Sequence, residues 1–317
     1  MFLLGESLRD VVVDHQADAK DPDPIKVRPV GPLFGRECSM RMSGGDPSPQ
    51  VETPSALGRL VELAPKHPVG MTTDYRTVAI VNYSVDRDVL RRLIPAALEL
   101  DAAHDRGYVT LVCADMVKMR PSPMPRLLGI TYDQVVYRVP VRYRGEPGLF
   151  FLGSDAGQPL MVAAGAAFSM FGVRLSRTKI TDAGDRVTID VFGRKPGFDF
   201  HAFLKIEPAA VAMPADSVFE TTAEAQSFLV DRFVAFVPGV RNNPMRRVRV
   251  RRGSWEVLLP STTDIRSDVL DGSSDFPAGS ALLDNVLVAR DIPYHWCAAE
   301  VEQTPGQWRR PRLSLPD

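Results

Sequence analysis

From residue 71 onwards, apolar and polar residues alternate with a period of two, and this alternation favours a fold built mainly from β-strands. In Asp133–Arg144 the odd positions from Val135 to Tyr143 are apolar, whereas the even positions include Gln134 and Arg142. The 27 prolines among the 317 residues favour turns and short strands over long helices. We therefore expect a mainly β protein with a few helices.

The same pattern predicts where the strands lie. Gly107–Met119 is apolar on both faces, which indicates a strand that is covered on both sides. Pro140 indicates an edge or a bulge in its strand, and a hairpin turn is expected at Arg144–Gly148. The predicted strands are Thr77–Val81, Gly107–Met119, Asp133–Arg144, Gly148–Gly153, Arg174–Thr181, Arg186–Phe192, Phe198–Ile206, Arg246–Val250, Trp255–Leu259, Ala281–Ala289 and Pro293–Val301.

Three segments are predicted to be helical. Arg87–Ile94 follows a capping residue, Asp86, and ends before a proline. Leu160–Phe171 has no polar face, which predicts a helix buried on all sides. Ala223–Phe236 has the spacing of an amphipathic helix.

The chain divides into three parts. Residues 1–70 are rich in proline and glycine and poor in aromatic residues, so we predict a mostly flexible N-terminal extension. Residues 71–303 form the predicted β domain, and residues 304–317 form a C-terminal tail.

Charge and cysteine usage narrow the range of partners. A net charge of −1 gives no general electrostatic reason to expect a nucleic acid or an anionic membrane. No apolar stretch is long enough to span a membrane, and the N-terminus lacks the features of a secretory signal. Cys38, Cys113 and Cys297 fit neither a disulfide framework nor a zinc site. We therefore expect a cytoplasmic protein without metal or cofactor; homo-oligomerisation stays open.

Several ordered blocks of sequence carry a family resemblance. They resemble the YqjF-like group, or DUF2071 family, which is related to the acetoacetate decarboxylase superfamily. The resemblance covers residues 77–301 and implies a closed or partly closed, predominantly antiparallel β-barrel or cone around a small-molecule pocket. The blocks are VNYSVDRDVLRRLIPAALELD, GYVTLVCADMVKMR, YRVPVRYRGEPGLFFLGSDA, FLVDRFVAF and PYHWCAAEVE.

The family's catalytic lysine does not carry over. Acetoacetate decarboxylases place a lysine pair after an aromatic-Gly-aromatic-Pro turn, and the matching turn here, Phe171–Arg174, is followed by Leu175 and Ser176. The Gly-Arg-Glu that precedes it in those enzymes is replaced by Gly165–Ala167. A Schiff base needs an uncharged amine. Lys179, which would point to the same side as Leu175 in an extended segment, is the candidate for a displaced amine; the alternative is a solvated lysine.

Two other residues are candidates for acid–base catalysis. His201 has an ordinary pKa near neutrality, and it would line the lumen if its strand belonged to a closed barrel. If the strand belongs to an open sheet, His201 lies on the solvent-facing side. Asp115 lies among apolar residues, so it is either a salt-bridged structural group or a pocket carboxylate.

The candidate substrate-binding residues are two arginines and two aromatic residues. Arg174 and Arg138 could each bind a carboxylate through two parallel hydrogen bonds, although a surface or ion-paired arginine is the alternative. Trp255 and His295, together with the adjacent Trp296, could form an aromatic pocket wall, or they could pack in the core.

Three functions remain open. The first is a cofactor-independent lyase, isomerase or hydratase that acts on a small carboxylated or keto compound. The second is a ligand-binding or sensor protein without catalysis, and the third is a decarboxylase that uses Lys179. Fold alone does not choose among them.

Overall fold

The computed structural model describes residues 69–168, 172–194, 196–207, 211–237 and 245–301. The predicted C-terminal tail and nearly all of the predicted N-terminal extension lie outside these ranges, so the division into three parts stays a prediction. Within them, strands predominate and helices are short, which confirms the predicted mainly β class. None of the helices in these ranges is long and apolar enough to cross a membrane.

The described part of the chain contains the following elements. The strands are β1 (Met71–Val85), β2 (Glu99–Leu100), β3 (Gly107–Pro121), β4 (Ile130–Tyr143), β5 (Glu146–Ala156), β6 (Val173–Leu175), β7 (Arg177–Asp182), β8 (Arg186–Phe192), β9 (Phe200–Lys205), β10 (Val234–Val237), β11 (Arg246–Arg252), β12 (Thr262–Ser267), β13 (Ala281–Trp296) and β14 (Glu300–Val301). The helices are α1 (Arg87–Leu93), α2 (Pro159–Phe168) and α3 (Thr222–Ala225), which continues into a π-helical turn (Gln226–Val230); a 3₁₀ turn covers Arg126–Leu128.

Most of the strands form one sheet that closes on itself in part. The strand order is β2-β4-β3-β1-β13-β11-β10-β5-β6, and β4 also pairs with β5, so the strands from β4 round to β5 form a ring. The pairs are antiparallel except β10–β5 and β5–β6, which are parallel. Strands β12-β9-β8-β7 form a second, antiparallel sheet. The expected partly closed antiparallel barrel is confirmed.

The strand β4 shows why Pro140 is tolerated inside the ring. Pairing with β3 ends at Arg138, and pairing with β5 shifts by one residue between Tyr137 and Arg138. Pro140 therefore lies just beyond the bulge, where its carbonyl accepts a hydrogen bond from the Asp101 amide. The hairpin to β5 has a turn of only Arg144 and Gly145, both with positive φ, as a type I′ turn requires.

Several of the predicted elements are wrong. Residues 174–181 do not form one strand, because the chain leaves the first sheet at Ser176 and enters the second as β7. Ala223–Phe236 is helical only to Val230 and then enters β10. Trp255–Leu259 makes a single bridge, between Leu258 and Val288, rather than a strand. Three strands, β2, β10 and β12, were not predicted as strands.

Helix α2 does not have the environment that its sequence predicts. Its apolar composition predicted burial on all sides, yet Leu160 is 61% exposed and Ala163 is also exposed. The helix packs against Val173 of β6 through Gly165, where an added Cβ would lie 2.7 Å from the Val173 Cγ2 atom. Residues 169–171, the predicted end of the helix, lie outside the described residues.

The core divides between the two faces of the first sheet. One face, which carries Val81, Leu111 and Val135, packs against the apolar side of the second sheet. The opposite face carries Ile80 and Val112 at the alternate positions, and it packs against Phe219–Val230 and Trp255–Leu259. We call this opposite face the cavity face, because the large cavity described below opens on it.

Carboxylates join the two sheets. Asp182, in β7, accepts hydrogen bonds from Thr77 of β1 (2.7 Å) and from Arg290 of β13 (2.6 and 3.0 Å). Asp133 of β4 accepts a hydrogen bond from the Ile180 amide of β7 (3.1 Å). Burial raises the pKa of Asp133 to about 6, and Asp115, its partner across the strands, adds to this shift.

This raised pKa predicts a pH-dependent effect of Asp133→Asn on stability. The folded-state pKa lies above the unfolded value, so Asp133 stabilises the folded protein at low pH and this contribution is lost as the pH rises through about 6. Asn can still accept the Ile180 amide. The substitution should therefore raise the melting temperature more at pH 7.5 than at pH 4.5. Asp264→Asn, on the exposed part of β12, is the control; equal shifts at both pH values for Asp133→Asn would contradict the account.

Candidate functional site

A cavity of about 550 Å³ lies between the cavity face of the first sheet and helix α2. Strand β3 contributes Val112, Ala114 and Met116 to its wall, and the facing positions of β4 run from Ile130 to Val136. Ala164 of α2 closes the other side. Its volume is within the range of small-molecule binding pockets.

Five methionines line the cavity among the residues that the structure describes. Their thioether side chains are unbranched and can adapt to ligands of different shape, which is why methionine is common at permissive binding surfaces. The other lining side chains are mostly aliphatic or aromatic, so the wall is predominantly apolar. The methionines are Met71, Met116, Met119, Met124 and Met161.

A β-bulge in β3 re-aims the end of this strand. Met119 and Arg120 are adjacent in sequence and would face opposite sides of a regular strand, yet both line the cavity. The register with β4 shifts between Met116 and Met119, and Lys118 in between has a φ of 57°. Gly129 makes the close return of the chain possible, because a Cβ there would lie 2.5 Å from the Lys118 carbonyl oxygen.

Few polar groups reach the cavity. The Tyr132 hydroxyl donates a hydrogen bond to the Gln134 side-chain oxygen (3.2 Å), and the Ser154 hydroxyl donates to the Gly172 carbonyl (3.1 Å). Burial raises the pKa of Tyr132 and of Tyr75, so both are neutral phenols at physiological pH. Arg120 is the only charged side chain among the described residues that line the cavity.

Apolar side chains are exposed around the cavity. Leu128 is 63% exposed and Leu160 61%, and both also line the cavity. Val69 and Met124 are likewise exposed and line the cavity. Leu127, beside Leu128, is 84% exposed. The wall therefore continues outwards as an apolar surface.

Arg138 lies on the cavity face but does not line the cavity. Its side chain is buried and donates to the Thr110 hydroxyl (2.8 Å) and to the Leu229 carbonyl (3.1 Å). Burial lowers the pKa of Arg138 to about 10. Among the described residues it forms no ion pair with a carboxylate, in contrast to most buried arginines.

Val173 of β6 lines the cavity wall, and the next residue, Arg174, lies on the opposite side of this strand. Its guanidinium makes two hydrogen bonds to the Asp155 carboxylate (2.9 and 2.7 Å). The guanidinium carbon also lies 4.9 Å from the ring centre of Phe198. These contacts correspond to the ion-paired alternative considered for Arg174.

His201 and Lys179 lie on the second sheet. The His201 Nδ1 atom is 2.7 Å from the Asp190 Oδ1 atom, and the His201 side chain is 43% exposed. Lys179 is exposed and lies directly across from Asp190 in the register of β7 and β8. Neither residue lines the cavity, and the break at Ser176 removes the premise that Lys179 shares a strand with Leu175.

Asp115, Trp255 and His295 also lie away from the cavity wall. Asp115 forms an ion pair with Arg76 (3.3 Å), and burial raises its pKa. Trp255 is buried, with the guanidinium carbon of Arg252 4.7 Å from its ring centre. The His295 Nδ1 atom lies 2.9 Å from the Thr72 hydroxyl. The ring of Trp296, next to His295, does line the cavity.

Sequence reasoning predicted one residue of the cavity wall, Trp296, and missed the others. It searched mainly for ionisable side chains, whereas most of the wall is built from methionines and from the apolar cavity-face positions of β3 and β4. The spacing of Met116, Met119 and Met124 beside a strand apolar on both faces was the available signal. In the described part of the chain, no three His, Cys, Asp or Glu side chains come close enough to hold a metal ion.

Comparisons with known proteins agree with this architecture. Residues 72–304 match the DUF2071 family, whose description is an uncharacterized conserved protein. The uncharacterized protein YqjF of Bacillus subtilis (strain 168) is 27% identical over 99 residues, which cover 31% of this chain and 41% of YqjF. The matched stretch thus spans about two fifths of that relative.

Two solved structures are similar in fold. The acetoacetate decarboxylase of Legionella pneumophila has a TM-score of 0.51 at 15% identity, and the match covers 74% of this chain and 87% of the decarboxylase. The enduracididine biosynthesis enzyme MppR, complexed with pyruvate, has a TM-score of 0.50 at 14% identity, with coverage of 78% and 94%. At these identities the similarity establishes the fold alone.

The packing of α2 on β6 can be tested with a double-mutant cycle. In an exposed helix, Gly→Ala stabilises by about 1 kcal/mol. Here Gly165→Ala should instead lower the free energy of unfolding, because the new methyl group meets Val173. In a Val173→Ala background the same substitution should become neutral or stabilising. Chemical denaturation of the four proteins measures this; the same effect of Gly165→Ala in both backgrounds would contradict the packing.

Proposed function

We propose that the cavity of this chain binds a small, mainly apolar molecule without forming a covalent bond to it. The chain belongs to the DUF2071 family and has the fold of the acetoacetate decarboxylases. The observation that carries the proposal is the composition of the wall. Methionine, aliphatic and aromatic side chains surround about 550 Å³, and no lysine, histidine or carboxylate is among the described residues that line it. Binding there would remove apolar ligand surface from water.

The contacts of the catalytic candidates give less support to a lyase, isomerase or hydratase. A general acid or base has to come within hydrogen-bond reach of the reacting group. His201 is 2.7 Å from Asp190 on the second sheet, and Arg174 is held by Asp155. Neither contributes to the cavity wall. The ligand-binding or sensor function therefore fits the geometry best.

A neutral apolar dye, N-phenyl-1-naphthylamine, tests binding directly. Its fluorescence should rise on addition of the protein, since dyes of this type emit strongly when shielded from water. Ala164→Phe should weaken binding by about tenfold or more, roughly 1.4 kcal/mol, because the new ring fills the cavity. Ala163→Phe, the adjacent and exposed position on the same helix, should leave the affinity within about twofold.

The controls are thermal unfolding curves, which show whether both variants fold. Equal affinity for the dye in the Ala164→Phe and Ala163→Phe proteins would refute binding in this cavity. Absence of binding to the wild-type protein would refute the proposed function itself.

A separate prediction concerns covalent chemistry. MppR is described in complex with pyruvate. For this chain we expect no imine with pyruvate, because no lysine is among the described residues that line the cavity and Lys179 is exposed on the second sheet. Treatment with pyruvate and borohydride, followed by peptide mass spectrometry, should give no adduct at Lys179. A stoichiometric adduct there, lost in Lys179→Gln, would support the decarboxylase alternative instead.

A further inference from the structure

The cavity has one unusual polar feature, the guanidinium of Arg120. It is the sole charge among the described lining residues, at the end of β3 beyond the bulge. One terminal nitrogen donates to the Lys118 carbonyl (2.8 Å). The Nε atom is buried and has no hydrogen-bond partner among the described residues.

Arg120 also lacks a counter-ion in the described part of the chain. Its neighbour Arg126 forms an ion pair with Asp74 (2.5 Å), whereas no carboxylate lies within ion-pair distance of Arg120. The connection from Lys118 to Gly129 contains three cationic residues and no acidic residue. Buried donors and charges in folded proteins are normally paired. A cation that lines an apolar cavity and has no carboxylate partner among the described residues therefore suits an anionic ligand group.

On this basis, and resting on the proposed function, we propose that the cavity binds an aliphatic monocarboxylate. The carboxylate accepts hydrogen bonds from the Arg120 guanidinium, and the hydrocarbon chain occupies the methionine-lined part of the cavity. A guanidinium binds a carboxylate through two parallel hydrogen bonds. One carboxylate matches the single cation, whereas a phosphate monoester would leave negative charge without a partner in an apolar wall.

The apolar character of the rest of the wall specifies the other half of the ligand. Of the lining residues that the structure describes, only Tyr75, Tyr132, Gln134 and Ser154 add side-chain oxygen or amide groups to the wall, and Tyr132 and Gln134 form a hydrogen bond with each other. A second charged group on the ligand would be buried without a partner, which is costly. The ligand therefore carries its charge at one end and is apolar along its length.

Competition against N-phenyl-1-naphthylamine tests this ligand class. Decanoate and 1-decanol have the same chain length and differ in the charged group. The wild-type protein should bind decanoate at least about tenfold more tightly than decanol, and the preference should weaken as salt is added. Arg120→Gln should abolish the preference, which is measured as the ratio of the two competitors' affinities against the dye affinity of the same variant. Arg126→Gln should keep the preference for decanoate, because Arg126 lies on the same connection but is paired with Asp74.

The outcomes separate the two proposals. If the dye does not bind the wild-type protein, the proposed function is wrong. If the dye binds but decanoate and decanol compete equally well, the carboxylate inference alone is wrong. If Arg120→Gln does not fold, the decanoate preference of the wild-type protein and its salt dependence still decide the question. Retention of the full preference in a folded Arg120→Gln protein would also overturn the assignment to Arg120.

Discussion

The pairing of β4 with both β3 and β5 is the constraint on which the rest of the structure depends. It closes the strands from β4 round to β5 into a ring, so each of these strands has one face towards the inside of the ring and one towards the outside. One set of alternating side chains packs against the second sheet, and the other set faces α2 and the cavity. The bulges in β3 and β4 let these long strands curve and still keep their pairing.

The arginines on the two faces of the first sheet differ in whether they have a carboxylate partner. Away from the cavity, arginines are paired with carboxylates: Arg174 with Asp155, and Arg290 with Asp182. These pairs hold strands and sheets together, so their charges are balanced within the protein. On the cavity face, Arg138 and Arg120 have no carboxylate partner among the described residues. Arg138 is satisfied by neutral acceptors deeper in the fold, which leaves Arg120 as the group that can recognise a charge from outside.

The sequence predicted the strands better than the site, and for a physical reason. Alternation in β4 and the two apolar faces of β3 follow directly from local burial, so these strands were confirmed. Alternation does not show which sheet a strand joins. Phe198–Ile206 was predicted correctly as a strand. Whether His201 faces a lumen, however, depends on the long-range pairing of that strand. Helix α2 was mispredicted as buried because an apolar helix that forms the wall of an open cavity has the same composition as one in a core.

The claim that the cavity is the binding site is tested most directly by NMR of methyl-labelled methionines in the presence of decanoate. The account predicts that the signals of Met71, Met116, Met119, Met124 and Met161 shift on titration, because these side chains line the cavity. The signals of Met213 and Met245, which are described residues that do not line the cavity, should stay in place. Shifts confined to Met213 or Met245, or no shifts at saturating ligand, would contradict it.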